Sequence, residues 1–143
     1  MFVLFLYEKD LKKAFWDHYK DRKSVLKYQF ECAAREGGVD LLTIEEYGGE
    51  YEICSFEFKL DNMKKAFAQA EANLPFVSKS FVVIPADKEE LIQNKYLPYL
   101  KEKRYIGVIG VEKGGRWKIL HQPYAQRKVL VNQKIISLVL KGF

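Results

Sequence analysis

Val39-Asp40-Leu41-Leu42-Thr43-Ile44-Glu45-Glu46-Tyr47-Gly48-Gly49-Glu50-Tyr51-Glu52-Ile53-Cys54-Ser55-Phe56-Glu57-Phe58-Lys59-Leu60 is the stretch on which the fold of this chain turns. Two runs with strand character flank Gly48-Gly49. A pair of glycines there is a strong hairpin signal, because a two-residue turn that matches strand twist needs positive φ. With the glycines as turn residues, Tyr47 pairs with Glu50 and paired positions sum to 97. Asp40 then stands opposite Glu57, and such neighbours lie ~5 Å apart at Cβ on one face. Lys59, two residues beyond Glu57, shares that face by strand alternation. The second run is apolar enough to be buried, and a buried ionised group costs several kcal/mol unless it is paired or binds a metal. The pattern therefore predicts three charged groups, Asp40, Glu57 and Lys59, converging at the end of the hairpin far from its turn.

Working outward, residues 8–19 carry apolar Leu11, Ala14 and Phe15, with His18, at helical spacing. Residues 24–34 suit a strand, broken by Gly37-Gly38. Asp61 or Asn62 caps a helix whose stripe is Met63, Ala66, Phe67, Ala70 and Leu74. Residues 80–84 form a short buried strand stopped by Pro85, and 87–103 read as a helix kinked or broken at Pro98. A second hairpin, 105–112 and 117–121, turns at Gly114-Gly115. A last helix covers 126–140, although its Val and Ile content also suits a strand. The order is helix, three strands, helix, strand, helix, two strands, helix. Strands apolar on both faces want helices on both sides, so the expectation is an α/β fold with a central mixed β-sheet flanked by helices. It is one domain over residues 1–143, with a core at about 7–85 and a C-terminal basic extension at about 86–143.

Apolar residues make up 48% and charged residues 30% of the 143 positions, which excludes a disordered chain. No stretch approaches the ~20 apolar residues of a membrane helix, and the opening apolar run is too short for a signal core. The expectation is a soluble cytoplasmic protein with no membrane partner. Cys32 and Cys54 both lie in apolar runs and suit core positions rather than a zinc cluster. Net charge is +5, unevenly placed. The last acidic residue is Glu112, and residues 113–143 carry +7. A one-signed segment is the footprint of a polyanion partner or a solvated basic face. Its candidate contacts for nucleic acid are Lys113, Arg116, Lys118, Arg127 and Lys128.

Two carboxylates at cross-strand spacing repel unless a cation lies between them. Hard oxygen ligands suit Mg²⁺ or Mn²⁺. Asp40, Glu57, a divalent ion and Lys59 together sum to +1, which matches one phosphodiester anion. The metal can polarise a phosphoryl oxygen while the lysine steadies developing negative charge. The pattern acidic-x-Lys also occurs at Asp10-Leu11-Lys12 and Asp21-Arg22-Lys23. Only Glu57-Phe58-Lys59 sits on a buried strand with an acidic partner in register.

Gly38-Val39-Asp40-Leu41-Leu42, then Phe56-Glu57-Phe58-Lys59, then a helix with Gln69, resembles the PD-(D/E)XK superfamily of restriction-endonuclease-like nucleases. The resemblance covers roughly residues 7–85 and implies the αβββαβ core of that family, here with an added C-terminal hairpin and helix. It implies Mg²⁺-dependent (endo)nuclease activity on DNA, in repair, restriction or a mobile-element context. Asp40, Glu57 and the Phe58 carbonyl would ligate the metal, and Lys59 would act on the attacking water or the phosphate. Glu8 matches the glutamate that the family often adds from its first helix, and Gln69 the glutamine after the motif. One departure is Val39, where the family has proline, a residue that carries no chemistry. The family also includes inactive members and members that only bind.

Blander readings stand beside these. Glu57 and Lys59 suit an edge-strand ion pair, Asp40 a cap on the Gly37-Gly38 turn, and Glu8 a helix N-terminal carboxylate. The rivals to the nuclease are an inactive nuclease-fold module that binds nucleic acid, and a homodimeric structural partner packing through the last apolar helix.

Overall fold

A computed structural model describes residues 3–127. The elements are α1 (Glu8–Tyr19), β1 (Val25–Cys32), β2 (Val39–Tyr47), β3 (Glu50–Phe58), α2 (Met63–Asn73), β4 (Lys79–Pro85), α3 (Glu89–Leu91), α4 (Leu97–Glu102), β5 (Ile106–Val111) and β6 (Trp117–His121). The six strands form one mixed sheet in sequence order. β2 runs antiparallel to both β1 and β3, β3, β4 and β5 are parallel, and β6 returns antiparallel. The parallel steps need crossovers, and α2 supplies the first. No helix among the described residues is long and apolar enough to cross a membrane.

The β2–β3 hairpin follows from its turn. Gly48 and Gly49 both have positive φ, 57° and 85°, and Tyr47 pairs with Glu50. Pairing then runs without a bulge to Leu41 opposite Phe56, so paired positions keep the sum of 97. Asn62 caps α2, its side-chain oxygen accepting from the Lys65 N–H at 3.3 Å.

Alternation along the strands divides the core into two layers. Phe56, Phe58, Phe81, Val83 and Ile109 pack with Leu11, Phe15 and Tyr19 of α1. Val82, Ile84, Ile106 and Val108 pack on the other face with Ala66, Phe67 and Ala70 of α2 and Leu100 of α4. Tyr19 rather than His18 closes the buried stripe of α1. The helix expected over 87–103, kinked or broken at Pro98, is interrupted there: a π turn, Ile92–Tyr96, lies directly before Leu97-Pro98. Proline has no N–H to continue the ladder, and the widened turn absorbs the misfit. Of the helix expected over 126–140, Gln126 and Arg127 are described and are not helical. The rest, Lys128 and the proposed dimer face included, lies outside the described residues.

Candidate active site

The C-terminal end of β3 gathers the groups of interest. Asp40 is half-buried, and its Oδ2 accepts the Phe58 backbone N–H at 2.9 Å. That bond continues the hairpin one step past its last backbone pair, so Asp40 spans to β3 rather than capping the Gly37-Gly38 turn. Glu57 is fully buried on the α2 face. Its Oε2 accepts from Asn73 Nδ2 at 2.8 Å and from Arg35 Nη2 at 3.2 Å. Its Oε1 is buried with no hydrogen-bond partner among the described residues. Burial pushes the Glu57 carboxyl up to about 7, and the neighbouring Asp40 charge adds to this while Asn73 and Arg35 pull back.

Arg35 comes from the turn between β1 and β2. Its Nε donates to Asn73 Oδ1 at 2.6 Å and its Nη1 to the Glu36 carbonyl at 3.1 Å. Arg35 and Asn73 thus form one clamp on a single carboxylate oxygen. Gln69 lies one helical turn before Asn73 on the same flank of α2. Its Oε1 is also buried without a partner among the described residues. Two acceptor oxygens on this face therefore lack donors.

Lys59 goes elsewhere. The strand ends at Phe58, the Lys59 N–H donates to the Val83 carbonyl at 3.0 Å, and Nζ lies 3.7 Å from Glu8 Oε2. Glu8 opens α1, so this pair belongs to the α1 side of the sheet. Two relations stand out at this end of the sheet: the Asp40 charge acts on Glu57, and Lys59 Nζ approaches Glu8.

Among the described residues no three His, Cys, Asp or Glu side chains gather as a metal cluster. A magnesium-type site needs fewer, since Mg²⁺ usually keeps several waters and takes one or two carboxylates plus phosphate oxygens. The unpartnered Glu57 Oε1 beside Asp40 fits that donor set.

A second buried carboxylate sharpens the comparison. Glu45 is fully buried on the α1 face. It accepts from Tyr19 at 2.7 Å, from Thr43 at 2.6 Å and from the Tyr47 hydroxyl, with Arg22 Nη1 at 3.7 Å. Every oxygen is satisfied, so Glu45 is a structural carboxylate. Its sequence signal is the inward alternation Leu41, Thr43, Glu45. Arg35 and Asn73 carry no local signal, because their role depends on contacts 22 and 16 residues away.

The basic segment is less exposed as charge than its sequence implies. Lys118 pairs with Glu89 at 3.0 Å, and Arg127 pairs with Glu50. Lys113 and Arg116 lie in the β5–β6 turn region.

No protein-family model and no curated protein matches the sequence. Among solved structures, a Silicibacter pomeroyi protein of unknown function is similar, with a TM-score of 0.62 and 16% identity over 94% of this chain and 82% of that one. At that identity the likeness extends to the fold alone.

Proposed function

We propose that this chain is a metal-dependent hydrolase of nucleic-acid phosphodiester bonds, acting on DNA, with a restriction-endonuclease-like core. The observation that carries the reading is Glu57: a fully buried carboxylate beside Asp40, clamped through one oxygen and left with the other unpartnered among the described residues. Leaving a buried acceptor without a donor costs about 1–3 kcal/mol. Glu45, equally buried, has no such vacancy. The order helix, three antiparallel strands, helix, parallel strand supports the assignment of the core.

Asp40, Glu57 Oε1 and the Phe58 carbonyl would hold Mg²⁺ or Mn²⁺. A cation so bound supplies Lewis-acid polarisation of a phosphoryl oxygen and a water acidic enough to attack. The protein's own groups do the rest. The Phe58 N–H fixes Asp40, while Asn73 and Arg35 fix Glu57. Lys59, 3.7 Å from Glu8, stands near the sheet end, where it would steady negative charge developing on phosphate. Gln69 Oε1 is an acceptor for a water proton.

A second reading, an inactive module that binds nucleic acid, is favoured by one observation. The Arg35 guanidinium already sits on Glu57 as a fixed cation.

Calorimetric titration with Mn²⁺ at pH 8 tests the first reading. The wild type binds and Glu57→Ala does not, and binding weakens toward pH 6 as Glu57 regains its proton. In a DNA cleavage assay with Mg²⁺ or Mn²⁺, Lys59→Ala loses on the order of 10²-fold in rate. DNA binding without Mn²⁺ binding or cleavage would select the second reading.

A further inference from the structure

A groove is lined by Leu100 and Lys101 of α4, Arg104 just after it, His121 at the end of β6, and Gln122 and Tyr124 beyond it. Its volume is about 440 Å³, and among the described residues no carboxylate lines it. That absence is unusual for this surface. Neighbouring Lys103 pairs with Glu71 at 2.8 Å, and Lys118 pairs with Glu89. Lys101 and Arg104 have no ion-pair partner among the described residues.

The aromatic wall is held in place. Pro123 seats on Gly107, where an added Cβ would approach its ring to 2.6 Å. The Tyr124 N–H donates to the Arg104 carbonyl at 2.8 Å, and the Gln126 N–H to the Ser78 carbonyl at 2.9 Å. The Gln126 side chain donates to the Val77 carbonyl at 2.6 Å. With its backbone pinned on both sides, Tyr124 still leaves 67% of its surface exposed. The Arg104 guanidinium lies 5.4 Å from its ring centroid. A fixed, exposed ring beside unpaired cations is the chemistry that stacks a base and takes its phosphate. Burial and the Lys101 charge hold His121 below its ordinary pKa, so at neutral pH it faces the groove as a neutral imidazole.

We propose that this groove binds one nucleotide of a single-stranded nucleic acid, its base stacked on Tyr124 and its phosphate held by Lys101 and Arg104. A duplex hides its base faces, so the ring selects an unpaired base. The site stands apart from the carboxylates. Cross-strand pairing links Glu57 to Val82, Val82 to Val108 and Val108 to His121. Three inter-strand steps put the two sites about 14 Å apart. The ligand class rests on the proposed activity, but the binding needs neither metal nor cleavage.

Fluorescence anisotropy with a labelled eight-residue oligothymidylate in EDTA tests the groove. Tyr124→Ala weakens binding about tenfold or more. The double variant Lys101→Ala, Arg104→Ala lowers the slope of log affinity against log salt by about 0.7, one single-strand phosphate contact. Glu57→Gln binds as the wild type does, and both groove variants keep wild-type Mn²⁺ affinity. Thymidine 5′-monophosphate that competes with the oligomer and shifts the His121 ring resonances, but not those of His18, would place a free nucleotide in the groove. Groove-dependent binding that the mononucleotide does not compete would place a strand there; both outcomes support the site. Unchanged affinity and salt slope in the groove variants would overturn it. So would loss of binding in Glu57→Gln alone, which would move the strand to the carboxylates.

Discussion

Glu57 and Glu45 are both fully buried carboxylates one strand apart, yet they answer burial differently. Glu45 is met by three hydroxyl-bearing residues. Glu57 is met through one oxygen by Arg35 and Asn73, and burial pushes its carboxyl to about 7 from an ordinary 4.5. Between these values the folded state binds a proton that the unfolded chain has released. Stability contributed by this group is therefore present below about pH 4.5 and is lost as pH rises through 7, on the order of 3 kcal/mol. Glu57→Gln removes the penalty, so the variant's stability relative to wild type rises between pH 5 and pH 8. Urea midpoints at the two values measure this, and an equal difference at both would mean that Glu57 is ionised throughout. Arg35→Ala removes the nearby cation and raises the Glu57 titration midpoint further, read from its side-chain carboxyl resonance. A midpoint that fell would show that Arg35 is not its counter-charge. The oddity of Glu57 was legible in the sequence as a charge in an apolar run. Its clamp was not, because Arg35 and Asn73 stand far from it along the chain.

At the scale of elements, the β2–β3 hairpin was the most legible part of the molecule. Turn chemistry and a period of two together determine a register, and a one-residue slip would expose its buried face. The glycines also set the hairpin's vulnerability. A Cβ on Gly49 would meet nothing within 4 Å, but its φ of +85° disfavours any side chain. Gly49→Ala therefore costs about 1–2 kcal/mol by backbone strain alone, measured as a lowered urea midpoint. A larger loss would point to a packing role for the turn. Where one element ends and the next begins was less legible. Lys59 lies just past the end of β3, and its Nζ approaches Glu8 of α1, a partner that strand alternation does not reveal. The broken stretch between Ala86 and Glu102 was legible only as far as Pro98 marks a disturbance.

Across the whole molecule, linear charge and spatial charge differ. The +7 of residues 113–143 suggests a bare basic surface, but Lys118 and Arg127 find Glu89 and Glu50 in space. These pairs are exposed, and such pairs are worth ~0–1 kcal/mol. Lys118→Ala and Arg127→Ala each change nucleic-acid affinity by less than about fivefold, within that range. Anisotropy titrations at fixed salt measure this, and a tenfold loss would return the interface to the basic segment. The sequence by itself determined the strands of the sheet, the hairpin register and the identity of the odd carboxylate, because backbone period and turn chemistry act over a few residues. Only the tertiary structure decided that Arg35 and Asn73 close on Glu57, that Lys59 turns to Glu8, and that Tyr124 stands pinned beside Arg104. Those partnerships join distant segments, and electrostatic and hydrogen-bond energies depend on separation in space rather than along the chain.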